Sequence, residues 1–203
     1  MTAAASPTLA DNPVAYATQP YPERWLLTLS ALSASFWPQG HAQLLQALVL
    51  LHPQRAPRFA LVAWVGVALG VTGGWLLGAA SAQVVLPWLV PHVPALAQLQ
   101  GVPGWLMILP GLPLAVLAAL GFSPMPLCWL AWTAGLVGLP LPVAALGLAG
   151  GHGLKLLLHT WVLWRGGLRL VPWLARDWHG LTLVAALLGL ILYLAIGYLI
   201  HMT

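Results

Sequence analysis

Few side chains in this sequence are suited to chemistry, and Lys155 stands first among them. It lies inside an otherwise apolar stretch with no acidic residue nearby. Burying such a charge in hydrocarbon costs about 2.5–3.5 kcal/mol or more, so it marks a binding site by default, and a phosphate headgroup offsets the cost. The plainer reading is a side chain that snorkels to an interface and holds nothing. His152 and His159 are seven positions apart. That puts them on one helix face about two turns apart, too far to share one metal ion. Each has the type to be an axial ligand of a pigment or haem, yet no second feature points to one. A histidine so placed is more often hydrogen-bonded inside a helix bundle. His41 and Gln39 sit at a Pro-Gly break and offer polar contacts to a headgroup. Asp11, Glu23 and Asp177 are the only acids, which argues against carboxylate catalysis inside the apolar region. No Ser-His-Asp set, Walker loop or dinucleotide motif is present. The expectation is a protein that is not an enzyme, with no catalytic residue, metal or cofactor. The single Cys128 excludes an intramolecular disulfide and a cysteine-based metal cluster.

Hydropathy sets the elements that hold these residues. Lys, Arg, Asp and Glu make up 5% of the 203 residues, against about 25% in a soluble domain. Hydrophobic residues make up 61%, mean hydropathy is +0.90, and no charged side chain occurs from Phe59 to Leu154. A soluble domain cannot keep so long a stretch from water. Several stretches approach the ~20 apolar residues that cross ~30 Å of hydrocarbon. The sequence therefore predicts an all-α, polytopic integral membrane protein. Its net charge of +4 comes without a dense basic patch, which argues against a nucleic-acid partner and puts the basic residues at a cytoplasmic lipid surface. The expected partners are membrane lipids, with other membrane subunits or a homo-oligomer beside them.

Along the chain, residues 1–24 read as a loose polar tail, without the basic start and apolar core of a signal peptide. Residues 25–51 are apolar but broken from Ser33 to His41, where Pro38 and Gly40 interrupt a helix. Broken backbone at membrane depth is tolerated only inside protein or along a wet cavity, so this segment reads as a re-entrant hairpin. Residues 59–80 form a span. Within it Gly66, Gly70, Gly74 and Gly78 are spaced by four, a small-residue stripe that admits another helix, within the chain sooner than across a dimer. Residues 81–104 hold four prolines and no charge and suit a partly interfacial connector. Residues 105–137 form a second hairpin, broken at Gly121-Phe122-Ser123-Pro124-Met125-Pro126. Spans follow at 143–164 and 181–200. Most of the 12 tryptophans fall at span ends, as an aromatic belt requires. The positive-inside rule puts Arg24, Arg55, Arg58, Arg165, Arg169 and Arg176 in the cytoplasm, with the N-terminus cytoplasmic and the C-terminus outside the inner membrane. The count is about three full spans plus two inverted re-entrant helical hairpins. Five or six plain spans is the rival count.

Inverted hairpins whose tips meet near the midplane are a transporter architecture. Both breaks place an aromatic residue just before a proline-centred turn: Ser35-Phe36-Trp37-Pro38 and Gly121-Phe122-Ser123-Pro124-Met125-Pro126. With Pro53 to Arg58 leading into Gly66, Gly70, Gly74 and Gly78 between them, then Ala134-Gly135 and Pro140, and then Gly151-His152-Gly153-Leu154-Lys155, they form an ordered set. The set resembles the DedA superfamily, the SNARE-associated Golgi or VTT-domain proteins, and most of all its YqaA-like branch, from about Leu29 to Leu199. The GFSPMP segment resembles that branch's Gly-Phe-Thr-Pro-x-Pro turn, and GHGLK its Gly-Arg-Gly-x-Arg. The resemblance implies a protein that moves or scrambles lipids, polyprenyl phosphates or phospholipids, with proton coupling proposed for the family. The chain departs from the pattern in three places. Gln39, His41, Ala42 and Gln43 stand where the family has a carboxylate, Leu127 and Cys128 where it has a basic or polar residue, and His152 where it has its first arginine. Lys155 keeps the second positive charge. The other expectation is an accessory subunit that keeps the scaffold without transport and docks on a larger membrane complex through its glycine stripe and charge-free surface.

Overall fold

Proline and glycine cut the apolar sequence into helices. A computed structural model of the chain describes residues 14, 17–36, 40–89, 91, 112–170, 172, 176 and 180–191. Helix α1 (Pro22–Ser35) opens on a proline, where the missing N–H costs no bond. Gly40, at φ 89°, occupies the left-handed conformation that glycine adopts freely and starts α2 (His41–Leu51). A 3-10 turn, Pro53–Arg55, leads into α3 (Ala56–Leu89), which has 34 residues and is about 50 Å long. Helices α4 (Leu112–Phe122) and α5 (Leu127–Leu136) flank the turn at 123–126. Helix α6 (Leu141–Ala144) runs through a π-helical turn, Ala145–Ala149, into α7 (Gly150–Gly166). A last helix, α8, spans Gly180–Ile191. The described residues include no strand, as the all-α expectation requires. Two continuous helices, Pro53–Trp88 and Leu141–Leu170, are long and apolar enough to cross a membrane.

Two boundaries differ from the sequence reading. The span expected at 59–80 does not stop for a connector at 81. Ser81–Leu86 contains no glycine or proline, and Pro87 falls inside the helix so near its end that it removes little of the ladder. The span expected at 143–164 begins earlier, because Pro142 sits in the first helical turn, where proline is tolerated. Pro38, Gln39, most of residues 1–24, the start of the 105–137 segment and the end of the 181–200 segment lie outside the described residues.

Close contacts fix the helix directions. Along α1 and α3, Leu27 and Ser30 meet Gly66, Ala31 and Ala34 meet Gly70, and Ser35 meets Gly73 and Gly74, so these two helices run parallel. The Ser35 hydroxyl donates across the pair to the Gly70 carbonyl at 3.1 Å. Helix α2 returns to the start of α3, where the His52 and Phe59 ring centres are 6.4 Å apart. Helices α6 and α7 run against α3: the Trp75 indole donates to the Leu139 carbonyl and the Trp64 indole to the Ala149 carbonyl, each at 2.8 Å. Leu114 and Leu117 meet Gly147, and Ala118 meets Gly151, so α4 runs with α7. Ala131 meets Gly74 and Gly135 meets Ala79, so α5 runs back along α3. The α1–α2 pair therefore enters the bundle from the end where α3 begins, and the α4–α5 pair enters from the other end. Arg24, Arg55, Arg58, Arg165 and Arg169 all fall at the first of these ends. There the Arg58 guanidinium lies 3.5 Å from the Glu23 carboxylate. Phe59, Leu26, Leu44, Leu45, Leu48 and Leu148 fill the core.

Candidate functional site

Each helix pair turns at an N-cap without a side-chain hydrogen bond. Gly40 and Pro126 occupy the N-cap positions of α2 and α5 and bring no side-chain acceptor. The first-turn N–H groups of a helix have no intrahelical acceptor. Both first turns line one cavity of about 500 Å³, together with α1, α3 and α7. Its polar lining includes Ser33, His41, Gln43, His152, Lys155 and His159. Chain segments more than a hundred residues apart thus share one wall.

Helix α7 supplies the side chains that reach the second break. The Lys155 ammonium donates to the Ser123 carbonyl at 2.9 Å. His152 lies one turn earlier, 7% exposed, with Nδ1 3.2 Å from the Gly121 carbonyl. These carbonyls end α4, where the helix dipole is negative and the ladder leaves acceptors open. Because a carbonyl only accepts, Nδ1 of His152 carries the proton. Its Nε2 is then a lone-pair acceptor, and it is buried with no hydrogen-bond partner among the described residues. His41 belongs to the first break, and its ring centre lies 5.7 Å from that of His152. The Ser33 hydroxyl donates to the Ser30 carbonyl at 3.1 Å. It therefore accepts from Nδ1 of His41, 2.8 Å away. The His41 ring of the first tip and the His152 ring of α7 thus stand side by side, the first held by Ser33 and the second by the Gly121 carbonyl of the second break. Among the described residues no group of three His, Cys, Asp or Glu is arranged to hold a metal ion.

No family model, curated protein or solved structure matches the chain.

The residues singled out in the sequence fall as follows. Lys155, His152 and His41 line the cavity, as do Pro124 and Pro126. Gly40 starts the helix that brings His41 there. Gln39 and Pro38 lie outside the described residues. Gly66 and Gly70 receive α1, Gly78 receives α5, and Gly74 touches both. The stripe is therefore used up inside the chain, and the docking face expected of it is not on the surface. Ser33, Gln43 and His159 were not singled out as headgroup contacts yet belong to the same wall. Ser33 and Gln43 flank the first break, and His159 repeats the face of His152. Both signals were readable.

Proposed function

We propose that this chain is a multipass membrane protein of DedA type that binds an anionic lipid headgroup at the meeting point of two inverted re-entrant hairpins and passes it between leaflets. The hairpins are α1–α2 and α4–α5. The full spans are α3 and the helix running from α6 through α7, and α8 belongs to the third. The observation that carries the reading is the cavity. Two helix breaks from opposite ends of the bundle open onto one cavity of mixed apolar and polar lining, and a lysine stands in it with no carboxylate among the described lining residues. Large exposed side chains on the outer faces of the long helices, among them Leu61, Leu69, Leu76, Leu77, Leu157 and Trp161, favour a lipid surround. The five arginines at one end fit a cytoplasmic surface. The accessory-subunit reading loses the support of the glycine stripe, which packs internally.

Lys155→Ala tests this reading. The substitution deletes a charge-assisted hydrogen bond worth about 1.5–3 kcal/mol and removes a buried charge costing about 2.5–3.5 kcal/mol, so stability should hardly change. Native mass spectrometry of the wild type should show retained anionic phospholipid or polyprenyl phosphate, and the variant should lose it. Equal retention in both would end the headgroup reading and leave Lys155 as a brace for the second break.

A further inference from the structure

The cavity has more donors than Lys155 alone explains. The first turns of α2 and α5 come from different hairpins. The Ala42 N–H of one and the Leu127 N–H of the other have no intrahelical acceptor, and both residues line the space beside the ammonium. The third N–H of α5, on Trp129, is already bonded to the Pro126 carbonyl at 3.2 Å. The acceptor is a separate observation. His152 is more than nine-tenths buried, its Nδ1 is committed to Gly121, and Nε2 is left without a donor. Buried polar atoms in native proteins almost always have a partner. A ligand that fits this wall offers phosphate oxygens to the donors and a hydroxyl to Nε2. An ammonium group fits poorly. Its charge would lie beside Lys155, and among the described residues no carboxylate lines the cavity to receive it. A trimethylammonium has no proton to give Nε2.

Resting on the headgroup reading above, we propose that the site selects a phosphate ester carrying a hydroxyl and no positive charge, of the phosphatidylglycerol kind. Its phosphate spans the first turns of α2 and α5 beside Lys155, and its hydroxyl donates to His152 Nε2. One headgroup then ties the tip of each hairpin to the other.

The test removes backbone donors one at a time. Proline in the first turn of a helix deletes an N–H and spares the ladder. Ala42→Pro does this in α2 at an exposed position. Leu127→Pro does it in α5, with Leu127→Ala as the control for the buried leucine. The full chain in detergent is offered phosphatidylglycerol, phosphatidylethanolamine and phosphatidylcholine in equal amounts, and retained lipid is read by native mass spectrometry. The wild type should hold phosphatidylglycerol at least about tenfold over the other two. Each proline variant should lose about tenfold of it relative to wild type or Leu127→Ala, the loss expected for one hydrogen bond to a charged group. His152→Phe should erase the preference among headgroups. Glycerol 3-phosphate serves as the soluble arm. If it occupies the site while no lipid is retained, the same chemistry is read from a soluble ester and the transporter reading falls. Equal retention of the three lipids by the wild type overturns the selectivity. Proline variants that bind as their controls do, with melting temperatures unchanged, overturn the backbone site and leave the Lys155 reading standing. A wild type that retains no phospholipid and no glycerol phosphate ends both readings.

Discussion

Gly78→Ala should lower the melting temperature by roughly 4–8 °C, and the reason lies in one helix crossing. A Cβ at Gly78 would overlap the Trp132 carbonyl oxygen of α5, and it would lie 2.9 Å from that carbonyl carbon and 3.0 Å from the Leu136 nitrogen. Ordinary contact begins near 3.4 Å. These are backbone atoms of a helix and cannot rotate aside, so α3 and α5 must part. Parting them strains the hydrogen bond from the Trp132 indole to the Ser81 hydroxyl, 3.1 Å long. It also opens the reciprocal contact of Gly135 on Trp75. Overpacking costs about 1–3 kcal/mol, and backbone against backbone belongs at the top of that range. Alanine returns about 1 kcal/mol of helix propensity. The net is about 2 kcal/mol, or roughly 2–4 °C for each kcal/mol in a chain of this size. Tryptophan fluorescence during heating in detergent reads the change. Gly150→Ala is the counterpart: a Cβ there meets nothing within 4 Å, so the melting temperature should rise by about 2–4 °C. Gly78→Ala melting at or above the wild type would refute this account of the crossing. A change in oligomeric state with unchanged melting would move the stripe to an interface between copies.

Two further outcomes bear on topology and charge. In a Cys128→Ser background, single cysteines at Gln54 and Leu168 should label from the cytoplasmic side and one at Gln83 from the opposite side. Labelling of Gln54 and Leu168 from opposite sides would reject the pair of inverted hairpins. Glu23→Gln should lower the melting temperature by no more than about 4 °C, because Arg58, its partner, is 67% exposed and surface pairs contribute about 0–1 kcal/mol, at about 2–4 °C for each kcal/mol. A larger drop would show that the pair holds α1 to α3.

The two breaks were legible because proline and glycine act locally: Gly40 and the Ser123–Pro126 turn stop helices whatever surrounds them. That the described residues form helices and no strand followed from the long apolar runs. The glycine stripe was legible as a packing face but not as to its partners, since α1 and α5 divide it between them and neither announces this in its own sequence. The bond from Lys155 to Ser123 was not legible. It depends on where the end of α4 meets α7, a contact between residues 32 apart set by Gly121, Gly147 and Gly151 in close approach. The extension of α3 past residue 81 is not legible in the proline content: prolines at 87, 91, 94 and 103 together mark a connector, while Pro87 alone falls within Ala56–Leu89, near its end.

The π turn between α6 and α7 determines which face of α7 carries the site. A π turn holds one residue more than an α turn, so everything after it is rotated by about 100° relative to an unbroken α-helix. His152, Lys155 and His159 all follow Ala145–Ala149, and all three line the cavity. The Trp64 indole bonds the carbonyl of Ala149, the last residue of the turn, at 2.8 Å, and its ring lies where a Cβ on Gly153 would stand. Trp64→Phe keeps a ring against Gly153 and deletes the donor. The lost bond is worth about 1 kcal/mol, a fall of roughly 2–4 °C. Without that bond the turn has less reason to persist. Reversion to α geometry would swing Lys155 and His152 off the cavity, so retained anionic lipid should fall further than the stability loss alone explains. A lower melting temperature with full lipid retention would show that Trp64 only packs and that the π turn holds itself.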